Sequence, residues 1–407
     1  MKICMLSRSM PAHSVGGMQD HVFTLCKELT NLGHEVTVIS TRHPSGITHE
    51  NIDKINIYYL GNTISVIESR SFRVESLKFL MDLQARLGKF DIIHSQGHCG
   101  LHLLDYQRKL GTPLIVSLHG TYIDEIKTFG NELVATLNPK IIFNAILMIV
   151  YFSYLHFFIA LPRLRKINKV IVTSNEQKKI VERIYHVKNT NLKVVFNGID
   201  AALFFNNLVP SGMRERLGVN KEERVILAVA RIVFQKGLQY IISALPGILE
   251  YQPFVKLVIV GDGKYRKKLE GLVKRLCLDD YVIFTGFVSP DSLPSYYNIC
   301  DIFVNPTIRI NGYDLSILQA MSCGKPVIAS NIGSNPTAIT SGVDGLLISP
   351  RDEKSMIRQA LKILNNKVFA ENIGRAAREK ILKNFSSTNM ALQTLKVYEE
   401  SISEGIV

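Results

Sequence analysis

Cysteine is sparse in this chain and never paired in sequence. The six residues (Cys4, Cys26, Cys99, Cys277, Cys300 and Cys323) are scattered without a CxxC spacing. That disfavours a zinc ribbon or a disulfide scaffold and fits small buried hydrophobes in a reducing compartment. No DxD carboxylate pair stands at a strand end, so no metal ion and no other cofactor is expected. Neither GxGxxG nor GxxxxGK[ST] occurs, which disfavours a dehydrogenase or a P-loop enzyme. Aromatic and basic residues do not interleave, and no recognition helix is evident, so nucleic acid is not an expected partner. The start MKICMLSRS reads as a strand with no apolar h-region behind it, so no secretory leader is expected. Acidic residues are the minority charge, 35 against 48 Lys plus Arg, for a net of +13. This balance favours anionic partners such as nucleotide phosphates or a phospholipid surface, or else reflects a solvated basic exterior.

What is present is strand–helix alternation over 407 residues, 46% of them hydrophobic and 20% charged. That is enough for two domains with full cores. Lys2 to Ser7 reads as the first strand. Met18, Val22, Leu25, Cys26, Leu29 and Leu32 then recur at helical spacing, and Gly33 ends that helix. Strands follow at Val36 to Ser40, Asp91 to His94, Pro113 to Leu118, Lys169 to Thr173 and Lys193 to Phe196. A second run has strands at Val225 to Ala230, Val255 to Val260, Val282 to Thr285, Ile302 to Asn305, Pro326 to Ala329 and Leu346 to Ile348. The pattern predicts an α/β protein with two Rossmann-like, doubly wound parallel sheets, and ligands at the carboxyl ends of the strands in a cleft between them. Periodicity fades from Asp200 to Arg214, which sets the domains at 1–203 and 204–385, with a terminal segment 386–407.

The chemistry-bearing residues cluster at strand ends. Arg231 and Lys236-Gly237 follow one buried strand and precede a helix, a ready clamp for a diphosphate. Asn311 to Ser330, NGYDLSILQAMSCGKPVIAS, reads as a loop containing Gly312, a helix from Leu315 to Ser322 and a strand. A loop that opens a helix offers free N–H groups to a phosphate or sugar hydroxyl. Asp314 is either a functional carboxylate or a cap for that helix. Gly16-Gly17 is a turn or a point of close backbone approach to a ligand. His119, after an apolar strand, is either a satisfied core histidine or a ligand contact. His94, His98 and His102 are spaced like a metal site. However, His94 ends a strand and Gly97 and Gly100 should interrupt any helix, so convergence on a metal is not expected.

The run Ile141 to Pro162 has no charged residue and is long enough to span a bilayer. Its flanking strands belong to one sheet, so spanning conflicts with topology. Burial or docking in a bilayer interface remains, and Arg163, Arg165, Lys166 and Lys169 would suit anionic headgroups over 141–169.

Taken together, these pieces resemble the large glycosyltransferase family called group 1, or family 4, which has the two-Rossmann GT-B fold. The resemblance covers nearly the whole chain, in order: GGMQDHV, SLHGT, VIVTSN, VVFNGID, VARIVFQKGL, VIVGDG, VIFTGFV, CDIFVNPT and the segment from Asn311. It implies an anomer-retaining transfer of a sugar from a nucleotide diphosphate sugar to a lipid-linked or saccharide hydroxyl, in polysaccharide or cell-envelope synthesis. The enzyme would be cytoplasmic and peripheral at the inner face of the membrane. By the same resemblance Arg231 and Lys236 hold the diphosphate and Gly16 and Gly17 close on it. His119 contacts the donor sugar, and Gly261 and Gly263 line the nucleotide. Val288 meets the base, Gly312 and Leu315 belong to the donor loop, and the terminal segment crosses back onto the first domain. One departure stands out. The family carries Glu-x7-Glu where this chain has Asn311 and Gln319. An amide keeps an acceptor oxygen but loses charge, so the alternative is a non-catalytic binder of nucleotide sugars or glycans.

Overall fold

The structure is a computed structural model that describes residues 1–14, 16–64, 70–134, 139–206, 212–310 and 314–405. The chain divides into two compact units. The first takes Met1–Gly198 and Ser387–Val407, and the second takes Ile199–Ile310 and Asp314–Ser386.

The first unit is built on an eight-stranded sheet. Its strands are β1 (Lys2–Leu6), β2 (Glu35–Thr41), β3 (His49–Ile52), β4 (Ile55–Leu60), β5 (Ile92–Gln96), β6 (Leu114–Leu118), β7 (Lys169–Val172) and β8 (Leu192–Val194). They lie in the order β3-β4-β2-β1-β5-β6-β7-β8, and all pairs are parallel except β3 with β4. Register places Met5 beside Val38 on one side and His94 on the other. Period-two alternation divides β1 between two layers. Ile3 and Met5 pack with Val22, Leu25 and Leu29 of helix α1 (Gly17–Asn31) and with Met390, Leu395 and Tyr398 of the C-terminal helix Ser387–Glu404. Cys4 and Leu6 pack on the other face with Phe72, Leu80 and Leu83 of helix α2 (Arg70–Leu87). Covering both faces is what a parallel sheet requires.

The C-terminal helix is tied to this sheet by polar groups as well. The Tyr398 hydroxyl lies 2.7 Å from His94 Nδ1. Lys169 Nζ, buried at the start of β7, reaches Glu404 at 2.5 Å and Glu400 at 3.7 Å. The preceding helix, Lys367–Asn384, belongs to the second unit, with Ile373 in that unit's core. The last helix alone therefore belongs to the first unit.

The second unit holds six parallel strands: β9 (Arg224–Val229), β10 (Val255–Val260), β11 (Val282–Gly286), β12 (Ile302–Asn305), β13 (Val327–Ser330) and β14 (Leu346–Ile348). Their order is β11-β10-β9-β12-β13-β14. Helix Leu238–Leu249 buries Leu238, Ile241, Ile242, Leu245 and Ile248 against the sheet. The strand order reverses between β1 and β5 in one sheet and between β9 and β12 in the other. Such switch points are where a doubly wound sheet opens a crevice at its carboxyl edge.

The apolar run folds as helix Pro139–Tyr154, a π-helical turn at Leu155–Ala160 and a short helix Leu161–Leu164. Ile115 on β6 pairs with Lys169 on β7, so the segment leaves one sheet and rejoins it. One face is core, with Ala145, Leu155, Ala160 and Leu164 buried. The other face exposes Phe143, Ile146, Leu147, Val150, Tyr154, Phe157 and Phe158, each 49–68% accessible. Of the four basic residues behind it, only Arg165 and Lys166 are exposed, with no ion pair among the described residues. Arg163 pairs with Asp105 at 2.6 Å, and Lys169 is buried on its two glutamates, which corrects its assignment to headgroups.

Candidate active site

In the second unit the switch point between β9 and β12 is occupied by charge. Lys236 closes a short turn after β9, one residue before Gly237, which caps helix Leu238–Leu249. Asp314 stands past β12 at the N-cap of helix Leu315–Ser322. The Lys236 ammonium donates to the Asp314 carboxylate, and the two side chains are only 13% and 10% exposed. Asn305, the last residue of β12, donates its Nδ2 to the other Asp314 oxygen at 3.1 Å. Burial pushes the Asp314 carboxyl up. Lys236, Arg309 and the Asn305 amide together more than offset this and hold it below the usual carboxylate range. Asp314 makes no cap hydrogen bond to its helix, so the cap reading gives way to the ion pair. Neither helix has a side-chain cap, so two sets of free N–H groups begin at this pair.

Glycine is required here by backbone contact. Gly237 has φ 71°, and a Cβ on it would lie 1.9 Å from the Pro306 carbonyl oxygen. Gly261 and Gly263 likewise press on the turn that carries Arg231. A Cβ would come within 2.1 Å of Ala230 O and 2.3 Å of Ile232 O. Ile232 N donates to Asp262 O at 2.8 Å and Gly261 N to Gly286 O at 2.9 Å, which stitches the loops after β9, β10 and β11 together. These two glycines thus support Arg231, a role the sequence did not show. Arg231 itself is exposed and, among the described residues, has no carboxylate partner. Val288 is half-buried just past β11, and Leu315 is nearly buried at the start of its helix. Gln319 accepts at Oε1 from the Tyr297 hydroxyl at 2.7 Å, which leaves its amide nitrogen as a donor. Asn311 and Gly312 lie outside the described residues.

The carboxyl edge of the first sheet is different. Gly16 and Gly17 start α1 after β1, and α1 has no side-chain cap. Gly16 is extended, and a Cβ there would meet only the tip of Gln19. Its backbone conformation therefore does not demand glycine, which leaves close approach by a ligand as a reason for it. His119 follows β6 and donates from Nε2 to Gln96 Oε1 at 2.8 Å. The His21 ring meets it edge-on, with centroids 4.6 Å apart. Burial lowers His119 to about 4 and His94 to about 3, and takes His21 well below its ordinary value, so all three rings are neutral. The metal-like triplet does not converge. His94 sits inside β5 rather than at its end, bonded to Tyr398 and to Ser117 Oγ at 2.6 Å. His98 stacks on Tyr122 at 4.1 Å, and His102 reaches Ser76 at 3.2 Å. Gly97 and Gly100 do not break the chain's coiling, because Gly97–Tyr106 is one 3₁₀ segment. Among the described residues no group of three His, Cys, Asp or Glu could hold a metal. Gln96, His21, Asn305 and Tyr297 were not evident beforehand; for Gln96 the available signal was its position two residues from His94, on the same face of β5.

The sequence profile of "Glycosyl transferases group 1" matches residues 212–380, and that of "Glycosyltransferase Family 4" matches residues 15–203. The chain is 29% identical, over 98% of both chains, to an uncharacterized glycosyltransferase of Methanocaldococcus jannaschii. It is 26% identical to the alpha-monoglucosyldiacylglycerol synthase of Streptococcus pneumoniae, over 96% of this chain and 88% of that one. In fold it is similar to HepE of Anabaena in complex with UDP-glucose, with a TM-score of 0.74 and 20% identity over 98% of this chain and all of that one. The chain belongs to the group 1 glycosyltransferases and has their two-sheet GT-B fold.

Proposed function

We propose that this glycosyltransferase moves a sugar, with retention at the anomeric carbon, from a nucleoside diphosphate to a hydroxyl of a lipid-linked or saccharide acceptor. The observation that carries the reading is the Lys236–Asp314 pair at the β9/β12 switch point, flanked by two uncapped helix N-termini and by Arg231, which has no carboxylate partner among the described residues. As the glycosidic bond breaks, negative charge gathers on the departing diphosphate. Fixed cations and helix N-termini stabilise that charge without reorganising. A diphosphate oxygen on the same face then takes the acceptor's proton while the acceptor oxygen bonds to the anomeric carbon. Arg231 and Lys236 hold the diphosphate, Gly16 and Gly17 approach the ligand through their backbone, and Gln319 donates to the ribose. Neutral His119 accepts or donates at a sugar hydroxyl. With these groups supplying the charge, turnover should survive chelation of divalent ions. UDP-glucose on the similar Anabaena fold and the glucosylated diacylglycerol in the name of the pneumococcal relative support the substrate classes. In a panel of nucleotide sugars, one should protect the protein against thermal unfolding. That protection should weaken in both Arg231→Ala and Lys236→Ala. Equal protection in both variants would remove the diphosphate assignment.

We also propose that the exposed apolar stripe from Phe143 to Phe158 docks on an anionic bilayer. Lys140 is exposed at one end, and Arg165 and Lys166 at the other. So long an exposed apolar face is unusual on a domain surface. The protein should co-sediment with anionic vesicles and be released only partly by salt, since apolar insertion is not screened. Complete recovery in the supernatant at low salt would overturn this, and concentration-dependent dimerisation would assign the stripe to a second copy.

A further inference from the structure

We infer that Gln96 is a positioning residue that fixes His119 in one neutral tautomer, with the proton on Nε2 and the lone pair on Nδ1. The inference rests on the sugar-contacting role proposed for His119. Gln96 ends β5 and lies over the His94 ring, its Nε2 3.4 Å from both ring nitrogens and 2.9 Å from the Met5 sulfur. Turning the amide round would set its carbonyl oxygen against that sulfur, lone pair against lone pair. The Nε2 group therefore faces Met5, and Oε1 faces His119 at 2.8 Å. A carbonyl oxygen only accepts, so His119 Nε2 must carry the hydrogen.

The ring behind Gln96 is itself locked. His94 holds the Tyr398 hydroxyl at 2.7 Å and the Ser117 hydroxyl at 2.6 Å, and it is wholly buried. Among the described residues, the groups that act on the charge of His21, His94, His98 and His119 are these rings themselves, Arg8 and His156, with no carboxylate among them. None of these groups rewards an imidazolium, and a glutamine in place of a carboxylate keeps it so. His119 Nδ1 is then the ring's acceptor, suited to the proton of a sugar hydroxyl. An imidazolium would instead offer two donors and no acceptor. Gln96 thus selects an acceptor over a charge.

The test uses the full chain labelled with [15N]histidine, with His119 assigned by the signal missing from His119→Asn. At neutral pH the wild type should show a protonated Nε2 and a bare Nδ1. Gln96→Leu should pull His119 toward a mixture of tautomers and lower turnover roughly tenfold or more, as losing the partner that orients a functional histidine does elsewhere. Gln96→Glu should make His119 doubly protonated near neutral pH and move the acid limb of the pH–rate profile upward. A bare Nε2 or an imidazolium in the wild type would overturn the inference without any variant. So would unchanged His119 signals in Gln96→Leu. Full turnover in His119→Asn would instead count against the proposed sugar contact, leaving the tautomer result to stand by itself.

Discussion

The carboxyl edges of the two sheets solve opposite problems. At β9 and β12 the chain buries full charges and keeps them by pairing Lys236 with Asp314. At β1, β5 and β6 it buries titratable rings and keeps them neutral, with His119 donating to Gln96 and the Gln96 amide lying over the His94 ring. Paired charge suits a ligand whose charge changes during reaction. Neutral donors and acceptors suit hydroxyls, whose recognition is by direction.

Acid breaks the neutral side, and this should be the largest effect. The folded values of about 4 for His119 and about 3 for His94 lie below the ordinary 6.5. Their contribution to stability is fully present above pH 6.5. It is lost as pH falls toward the folded values, because the unfolded chain takes up protons first. The slope approaches about 1.4 kcal/mol per pH unit for each such ring. Thermal unfolding from pH 7 to 4 should show a steep fall in Tm, shallower in His94→Gln. A flat profile would mean the rings are not neutral.

Arg231→Ala comes next. It removes a cation from the charged side and should cut turnover about a hundredfold, read from steady-state sugar transfer. Asp314→Asn strips the pair of its anion while keeping its shape. A buried ammonium losing its counter-ion should lower Tm and reduce turnover about tenfold, whereas a helix cap alone would leave turnover unchanged. The smallest effect belongs to Gln319→Glu. A carboxylate cannot donate as the Gln319 amide does, so loss of that hydrogen bond, roughly 1 kcal/mol, should lower donor affinity measured by calorimetry about fivefold if the ribose is held there.

The sheets were legible because buried parallel strands read as continuous apolar runs; β10 and β12 fall where VKLVIV and IFVN stand. The hairpin of β3 and β4 was not. Its two-residue turn places Asp53 and Lys54 at positive φ (51° and 65°) without the glycine that announces such turns. Helix α2 was missed as well, because its buried stripe is thin: Phe72, Ser76, Leu80 and Leu83 over 18 residues. Arg231, Lys236 and Asp314 could be picked out as charges just past strand ends. Gln96 could not. A glutamine closing a strand looks like any polar terminus, and its significance comes from Met5, His94 and His119, which only the sheet brings together.

The return of the C-terminal helix to the first sheet has a consequence for synthesis. The sheet's central histidine waits for Tyr398, and buried Lys169 waits for Glu400 and Glu404. Domains otherwise fold from the N-terminus while the ribosome is still working. Here the first-made half stays incomplete until the helix Ser387–Glu404 has been made. The second unit can finish folding ahead of the first, and a ribosome that stalls late leaves the N-terminal sheet with an open flank for chaperones to cover.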